Sequence, residues 1–321
     1  MCVYWVTKLN GEVSSEISVS NGVPPGSTLG PLLFLLYIND INTTVRACTI
    51  HLFADDTLLY FYSKDLKHLI STINRDLKIL HDYFNINILK LNTKKTKFML
   101  IANAKFQQEF HINNLNLKIG NELIERVDQI KYLGFIIDSY LNFKEHIIFI
   151  VDKITKNINF MSRLSASLTQ WSKLTVFNTL VLPHFIFSSS ILYLANKNDI
   201  NRLQKLQNRA MRIILGERRD TPIRDMLARL DWLSVEQFLK YQVMTFIYRI
   251  KNSLTPSYLT GKLLTNDSVH SYPTRNKRNF YVMAKNKRVQ KIRYIIRDCL
   301  LSILFQRKLK RSKILIHLKE N

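Results

Sequence analysis

The chain has 321 residues, a formal net charge of +23 and three cysteines, Cys2, Cys48 and Cys299. Hydrophobic residues make up 46% and aromatic residues 11%, so a packed core is expected and wholesale disorder is excluded. Three widely spaced cysteines form neither a disulfide framework nor a zinc cluster, which points to a reducing, intracellular setting, nucleus or cytoplasm.

Residues 1–10 lack a basic segment followed by an apolar one, so a secretory leader is not expected. Residues 11–20 alternate loosely and predict a strand. Gly22, Pro24, Pro25, Gly26, Gly30 and Pro31 then make a turn-rich stretch. Residues 32–38 are apolar on every side, which predicts a helix buried on all faces and entered through a cap at Ser27 or Thr28. Two β-rich runs, 49–53 and 57–62, flank Ala54-Asp55-Asp56, and a hairpin with two carboxylates at its tip is expected. Leu66, Leu69, Ile70, Ile73, Leu77, Leu80 and Phe84 recur at helical spacing and predict one long amphipathic helix capped by Ser63. Residues 98–102, 115–119 and 132–137 read as further strands, so the first 140 residues have an α+β pattern.

After residue 143 the pattern turns helical. Residues 176–195 are strongly apolar but are interrupted by Asn178, Pro183, His184 and three serines. Two buried helical pieces meeting near Pro183 are expected there, not a membrane span. Residues 201–215 carry two adjacent stripes, Leu203, Leu206, Ala210 and Ile213 beside Arg202, Lys205, Arg209 and Arg212. Gly216 suits a helix C-cap, and Thr221-Pro222 an N-cap followed by a first-turn proline. Residues 252–279 read as loop. The net charge is +2 over residues 1–103, +8 over 104–272 and +13 over 273–321. Such an excess favours a polyanionic partner, nucleic acid or an anionic membrane surface; the bland reading is a solvated basic face.

Asp55 and Asp56 are the sharpest chemical feature. Adjacent carboxylates drawn out of water call for a cation, and at a hairpin tip they could take Mg²⁺, with substrate phosphates completing its octahedron. Two-metal phosphoryl transfer needs such carboxylates, although an Asp pair alone is also an ordinary turn.

Two blocks stand in order: Gly22-Val23-Pro24-Pro25-Gly26-Ser27-Thr28-Leu29-Gly30-Pro31-Leu32-Leu33-Phe34, with Tyr37-Ile38-Asn39-Asp40, and then Phe53-Ala54-Asp55-Asp56-Thr57. Together they resemble the reverse transcriptases of non-LTR retrotransposons, especially jockey-like and CR1-like elements. The resemblance implies that Gly22, Pro24 and Gly26 lie beside the incoming nucleotide and template. It makes Asp55 and Asp56 the catalytic, metal-binding pair. Leu91-Asn92-Thr93-Lys94-Lys95-Thr96-Lys97 resembles the family's Asn-x-x-Lys-Thr segment, whose lysine, Lys95 by register, lies near the triphosphate. Lys131-Tyr132-Leu133-Gly134, Asp138, Leu141-Asn142-Phe143 and His146 are similar to the strand turn that supports the primer; Tyr132 and Leu133 also suit ordinary core packing. Leu203 to Gly216, Thr221-Pro222 and Leu230-Asp231-Trp232-Leu233-Ser234 resemble the helical region that follows the polymerase.

The resemblance therefore implies a partial polymerase palm over residues 1–143, an antiparallel sheet with packed helices. A helical thumb or connection region follows over 144–272, where the stripe Arg202, Lys205, Arg209 and Arg212 would lie near nucleic acid, and then a basic tail over 273–321. The implied activity is RNA-directed DNA polymerisation with two Mg²⁺ ions, deoxynucleoside triphosphates, an RNA template and a DNA primer or target, and no membrane. Two departures qualify it. Pro25 replaces the family's glutamine, removing an amide side chain and a backbone N–H. The family's first catalytic aspartate precedes the Gly-Val-Pro motif, whereas here the first aspartate is Asp40 and residues 1–20 offer only Glu12 and Glu16. The expectation is thus a C-terminal fragment that lacks the first metal-binding strand, has exposed strand edges and is inactive alone. Its partner would be the missing N-terminal polymerase segment or the element RNA. The alternative is a non-catalytic nucleic-acid-binding remnant of a mobile element.

Overall fold

The computed structural model describes residues 3–19, 22–23, 26–102, 116–260 and 312–319. It opens with four short strands, β1 (Val3–Trp5), β2 (Lys8–Leu9), β3 (Glu12–Val13) and β4 (Ile17–Val19). The single strand expected over 11–20 is thus split: β3 turns back on β2 about Asn10-Gly11, and β4 pairs antiparallel with β1. Next come helices α1 (Gly30–Tyr37) and α2 (Ile41–Thr44), then strands β5 (Thr49–Phe53) and β6 (Asp56–Ser63). β5 and β6 form the expected antiparallel hairpin, in register from Thr49↔Tyr60 to Phe53↔Asp56. Residues 57–60 are buried on both faces of the strand, the mark of an interior strand.

Helix α3 (Leu66–Ile86) packs on β6 and buries Leu69, Ile73, Leu77, Leu80 and Phe84. Its cap is Asp65, whose carboxylate accepts the Lys67 amide at 2.9 Å; Ser63 instead accepts the Asp65 amide at 3.1 Å. The helix also carries a charge into the core. Asp76 accepts the amides of Ala47 (2.9 Å) and Cys48 (2.8 Å) and the Arg75 Nε–H (3.1 Å). Burial alone would raise the Asp76 pKa, but these bonds outweigh it and hold the carboxyl below its usual value.

The chain continues through β7 (Lys97–Ile101), β8 (Lys118–Ile119), β9 (Glu122–Leu123), β10 (Glu125–Arg126), β11 (Gln129–Tyr132) and β12 (Phe135–Asp138). The run 132–137 is therefore not one strand but the middle of an antiparallel hairpin that reverses at Leu133-Gly134. Helices follow: α4 (Lys144–Leu164), α5 (Gln170–Leu180), α6 (Leu182–Phe187), α7 (Ser189–Tyr193), α8 (Lys197–Leu215), α9 (Ile223–Leu230), α10 (Val235–Lys251) and α11 (Ser257–Thr260). The last described element is strand β13 (Ser312–Lys319).

The chain divides into two compact units, one of Met1–Phe98, Ile112–Arg126 and Lys313–Asn321, the other of Met99–His111 and Val127–Ser312. The main sheet has the strand order β10-β7-β13-β6-β5. β10 runs parallel to β7 and β5 antiparallel to β6, so the sheet is mixed, not purely antiparallel. The gap expected in this sheet is filled. The interior position between β7 and β6 is taken by β13 from the far end of the sequence.

Helix α1 overturns the expectation of burial on all faces. Leu32 is 55% exposed, Leu36 66% and Tyr37 50%; within the helix only Gly30 is buried. No described element covers the leucines. The N-cap is Leu29, without a side-chain cap bond, and not Ser27 or Thr28; the Ser27 hydroxyl accepts the Gly30 amide at 3.0 Å in the turn before it.

In the second unit, the Asp138 carboxylate accepts the amides of Tyr140, Asn142 and Phe143 at 3.0, 3.0 and 2.6 Å, fixing the turn that launches α4. The apolar stretch 176–195 forms three helical pieces, with Pro183 in the first turn of α6. Among the described residues no helix is long and apolar enough to cross a membrane. Gly216 ends α8 with φ 71°, as expected, while Pro222 itself is the residue before α9. Ser234 and Gln237 close a reciprocal capping box on α10, a Ser-x-x-Gln signal legible in the sequence. Trp232 stacks on Phe177 with ring centroids 4.3 Å apart, beside a cavity of ≈ 260 Å³.

Candidate active site

The register of the β5–β6 hairpin fixes the carboxylate pair. Phe53 faces Asp56 across the strands, leaving Ala54 and Asp55 as the two-residue tip, with Ala54 at φ 50°. Asp55 is exposed to solvent, whereas Asp56, the first residue of β6, is half-buried. Asp56 Oδ1 lies 3.1 Å from Nε2 of His317, which β13 brings alongside and which is 5% exposed. Nothing in the local sequence signals this contact, because the two residues are 261 positions apart.

The turn-rich block before α1 supplies backbone shape. Gly22 and Gly26 adopt φ 91° and 78°, a conformation costly for any residue with a Cβ. Pro24 and Pro25 lie outside the described residues. Asp40, the only aspartate ahead of the pair, accepts the Tyr83 hydroxyl at 2.6 Å, and Tyr37 donates to the Asn87 carbonyl at 2.6 Å. These bonds tie α1 and α2 to α3. Lys95 sits exposed in the turn before β7. Its amide reaches the Asn92 side chain at 3.1 Å, and the buried Thr96 hydroxyl donates to the Asn92 carbonyl at 2.9 Å. In that segment Asn92 and Thr96 build the turn and Lys95 is presented outward.

The residues assigned to the primer lie in the other unit. Tyr132 is buried in β11, and Leu133 and Gly134 both have positive φ, 46° and 84°, as a two-residue hairpin turn of the right hand requires. A Cβ on Gly134 would meet the Phe187 ring at 3.3 Å, and Phe187 stacks on Phe135 with centroids 4.6 Å apart. The turn is thus built into a packed aromatic cluster. His146 lies in the same cluster, fully buried. Its Nδ1 accepts the Ile136 amide at 3.3 Å, which leaves Nε2–H to face Ser188 Oγ at 3.1 Å. Burial pushes its pKa down to about 4.

The basic stripe lines one side of α8, but its members are not alike. Arg209 donates to Asn159 Oδ1 at 2.7 Å, and Arg212 donates from Nε and Nη2 to the carbonyls of Arg218 and Arg219, each at 3.3 Å. Arg202 lies 3.6 Å from Asp199, while Lys205 is exposed. The described basic residues of the tail are few, and its positions 261–311 lie outside the described residues.

Hard carboxylate oxygens suit Mg²⁺, which commonly takes one or two carboxylates and fills its octahedron with water and phosphate. Asp55 and Asp56 offer carboxylates of that chemistry, one exposed and one half-buried. Among the described residues no cluster of three or more His, Cys, Asp or Glu side chains is arranged to hold a metal, so a full two-ion ligand set is not assembled there.

The hairpin and the motif before it fall inside residues 1–137, which match the family described as reverse transcriptase (RNA-dependent DNA polymerase). The chain is 25% identical over 281 residues, 84% of its length, to the RNA-directed DNA polymerase from mobile element jockey of Drosophila melanogaster. The chain is similar to the reverse transcriptases of non-LTR retrotransposons. Two further relatives from the same fly are the "Probable RNA-directed DNA polymerase" of transposon BS and that of transposon X-element. Each is 26% identical, over 60% and 66% of the chain. The matches cover 30%, 22% and 24% of these three relatives, so the chain spans less than a third of their length.

Proposed function

We propose that the chain supplies the carboxylate hairpin, the nucleotide-side loop and the helical template–primer surface of an RNA-directed DNA polymerase. The observation that carries this reading is the Asp55-Asp56 pair at the tip of the β5–β6 hairpin, within the matched residues 1–137. In this reading residues 1–143 are palm, 144–272 thumb or connection, and 273–321 a basic tail. A bound Mg²⁺ would supply Lewis-acid stabilisation of phosphoryl oxygens. Asp55 and Asp56 would hold it by their carboxylates. The glycine turns at Gly22 and Gly26, with Pro24 between them, would let backbone approach the nucleotide. Lys95 would offer its ammonium to the triphosphate. Tyr132, Leu133 and Gly134 would seat the primer end, and Arg202, Lys205, Arg209 and Arg212 would border the duplex. The partners are an RNA template, a DNA primer or target and deoxynucleoside triphosphates, in an intracellular setting without a membrane.

The test is Mn²⁺ binding by the full chain together with its binding of a primed RNA template. Metal binding should be lost in both Asp55→Asn and Asp56→Asn, with template binding kept. Metal binding indifferent to both substitutions refutes the reading. A second reading, a non-catalytic nucleic-acid binder, is favoured by the carboxylates ahead of the pair: Glu12 and Glu16 are exposed and Asp40 is engaged by Tyr83. Primer extension by the full chain that depends on Asp55 and Asp56 would exclude it.

A further inference from the structure

We propose that the C-terminal strand β13 is a built-in plug of the carboxylate hairpin: it completes the sheet beside β6, and its His317 competes with a divalent cation for Asp56. The inference rests on the reading of Asp55 and Asp56 as cation ligands.

Three observations carry it. First, β13 lies between β7 and β6 and not at an edge of the sheet. An interior strand satisfies the backbone donors and acceptors of both neighbours, which would otherwise be open edges. Second, the strand is seated by its side chains. Successive residues of a strand point to opposite faces, and Ile316, His317 and Leu318 are 0%, 5% and 0% exposed, so both faces of β13 are covered here. Third, the residue that arrives at the acidic tip is a hydrogen-bond donor to Asp56 and not a further oxygen ligand of the kind Mg²⁺ takes. The sequence Ser312 to Lys319 holds two lysines and one histidine and no carboxylate. His317 Nε2 lies 3.1 Å from Asp56 Oδ1, as a hydrogen bond requires.

Mg²⁺ demands ligands at roughly 2.0–2.1 Å in a near-ideal octahedron. An imidazole N–H aimed at one oxygen of Asp56 uses a lone pair of that oxygen and fills the space where a cation or its water would sit. The imidazole and the cation thus compete for the same carboxylate oxygen, and binding at Asp56 should tighten when the imidazole is removed. The sheet position and the carboxylate contact are coupled, since the same strand provides both.

The experiment uses the full chain and three variants. His317→Gln keeps an N–H donor, His317→Leu keeps the volume without a donor, and His317→Ala reads the same loss of donor should leucine not be tolerated. Hydrogen exchange of the 312–319 and 56–63 amides reports whether the strand is docked, and electron paramagnetic resonance of free Mn²⁺ gives the affinity. Docked strands and an affinity about 3- to 10-fold tighter in His317→Leu or His317→Ala are expected, the worth of one net hydrogen bond. His317→Gln should stay near the parent, and Asp56→Asn should abolish the difference. Rapid exchange of the 312–319 amides in the parent chain overturns the plug. Equal affinities with Mn²⁺ binding that still requires Asp55 and Asp56 also overturn it and leave the carboxylate site standing. Mn²⁺ binding that ignores both aspartates removes the cation-site reading and the plug together.

Discussion

Acid should destabilise the helical unit through His146. The imidazole is fully buried, accepts the Ile136 amide at Nδ1 and faces Ser188 from Nε2. Burial lowers its pKa from 6.5 to about 4. The unfolded chain therefore binds a proton that the folded chain refuses between these values, so stability falls as pH drops from 6.5 toward 4. Linkage gives a loss of about 2 kcal/mol by pH 5 and about 3 kcal/mol by pH 4, a large share of a domain's roughly 5–15 kcal/mol. The sign agrees with the hydrogen bonding, because a proton on Nδ1 would eliminate the acceptor that satisfies the Ile136 amide. Urea unfolding of the parent and of His146→Phe at pH 7, 6, 5 and 4 checks this. The phenylalanine variant should start less stable, with the Ile136 amide and Ser188 hydroxyl left without the imidazole, and should then show a shallower fall with pH. Taking the difference between the two proteins cancels His51 and His184, whose pKa values burial also lowers. Parallel pH curves for parent and variant would refute the reasoning.

Asp76→Asn should destabilise the sheet unit by about 1–3 kcal/mol in denaturant melts, because an amide cannot accept from the Ala47 and Cys48 amides and Arg75 as a carboxylate does. Its contribution is present above pH 4 and is lost as pH falls through its depressed value, below the His146 window. Gly134→Ala should cost about 1–2 kcal/mol, from the positive φ and the nearby Phe187 ring, read as a lowered melting temperature. Lys205→Ala should reduce the salt slope of RNA or DNA binding by about one without changing stability, whereas Arg212→Ala should cost up to about 1 kcal/mol by freeing the Arg218 and Arg219 carbonyls; equal salt effects with no loss of stability in either would argue against this division. The 321-residue chain assayed alone should not extend a DNA primer on RNA with Mg²⁺ or Mn²⁺, and extension that vanishes in Asp55→Asn would overturn that expectation.

The local parts of the fold were legible because they rest on short-range periodicity. The hairpin around Ala54-Asp55-Asp56, the helix following residue 65 and the C-cap at Gly216 all follow from alternation, helical spacing and a glycine. Errors of a residue or two, Asp65 for Ser63 and Pro222 for Thr221 at the caps, arise where several adjacent side chains could accept the same amide. The reversal at Leu133-Gly134 was hidden because its left-handed leucine is β-compatible by composition, and only the following glycine marks the turn. The family motifs singled out Asp55, Asp56 and Lys95 as candidates. They carried no information about His317, Asp76 or the carbonyl contacts of Arg212, which depend on segments far apart in sequence or on how a turn is finished.

Helix α1 and strand β13 present the same physical problem with opposite outcomes. A strand that enters an open interior position pairs its backbone with both neighbours and buries its side chains at the same time, so a compatible strand of the chain gains by entering it. β13 qualifies: it alternates and supplies two fully buried aliphatic residues, Ile316 and Leu318. A helix satisfies its own backbone, and α1 makes its hydrogen bonds without any neighbour, so leaving Leu32, Leu33, Leu35 and Leu36 in water costs only the apolar term. That asymmetry accounts for a strand position filled from residues 312–319 beside α1 leucines that no described element covers. It also separates two properties that the sequence presents as one deficit: the interior position of the sheet is filled within the chain, whereas no described residue covers the apolar face of α1.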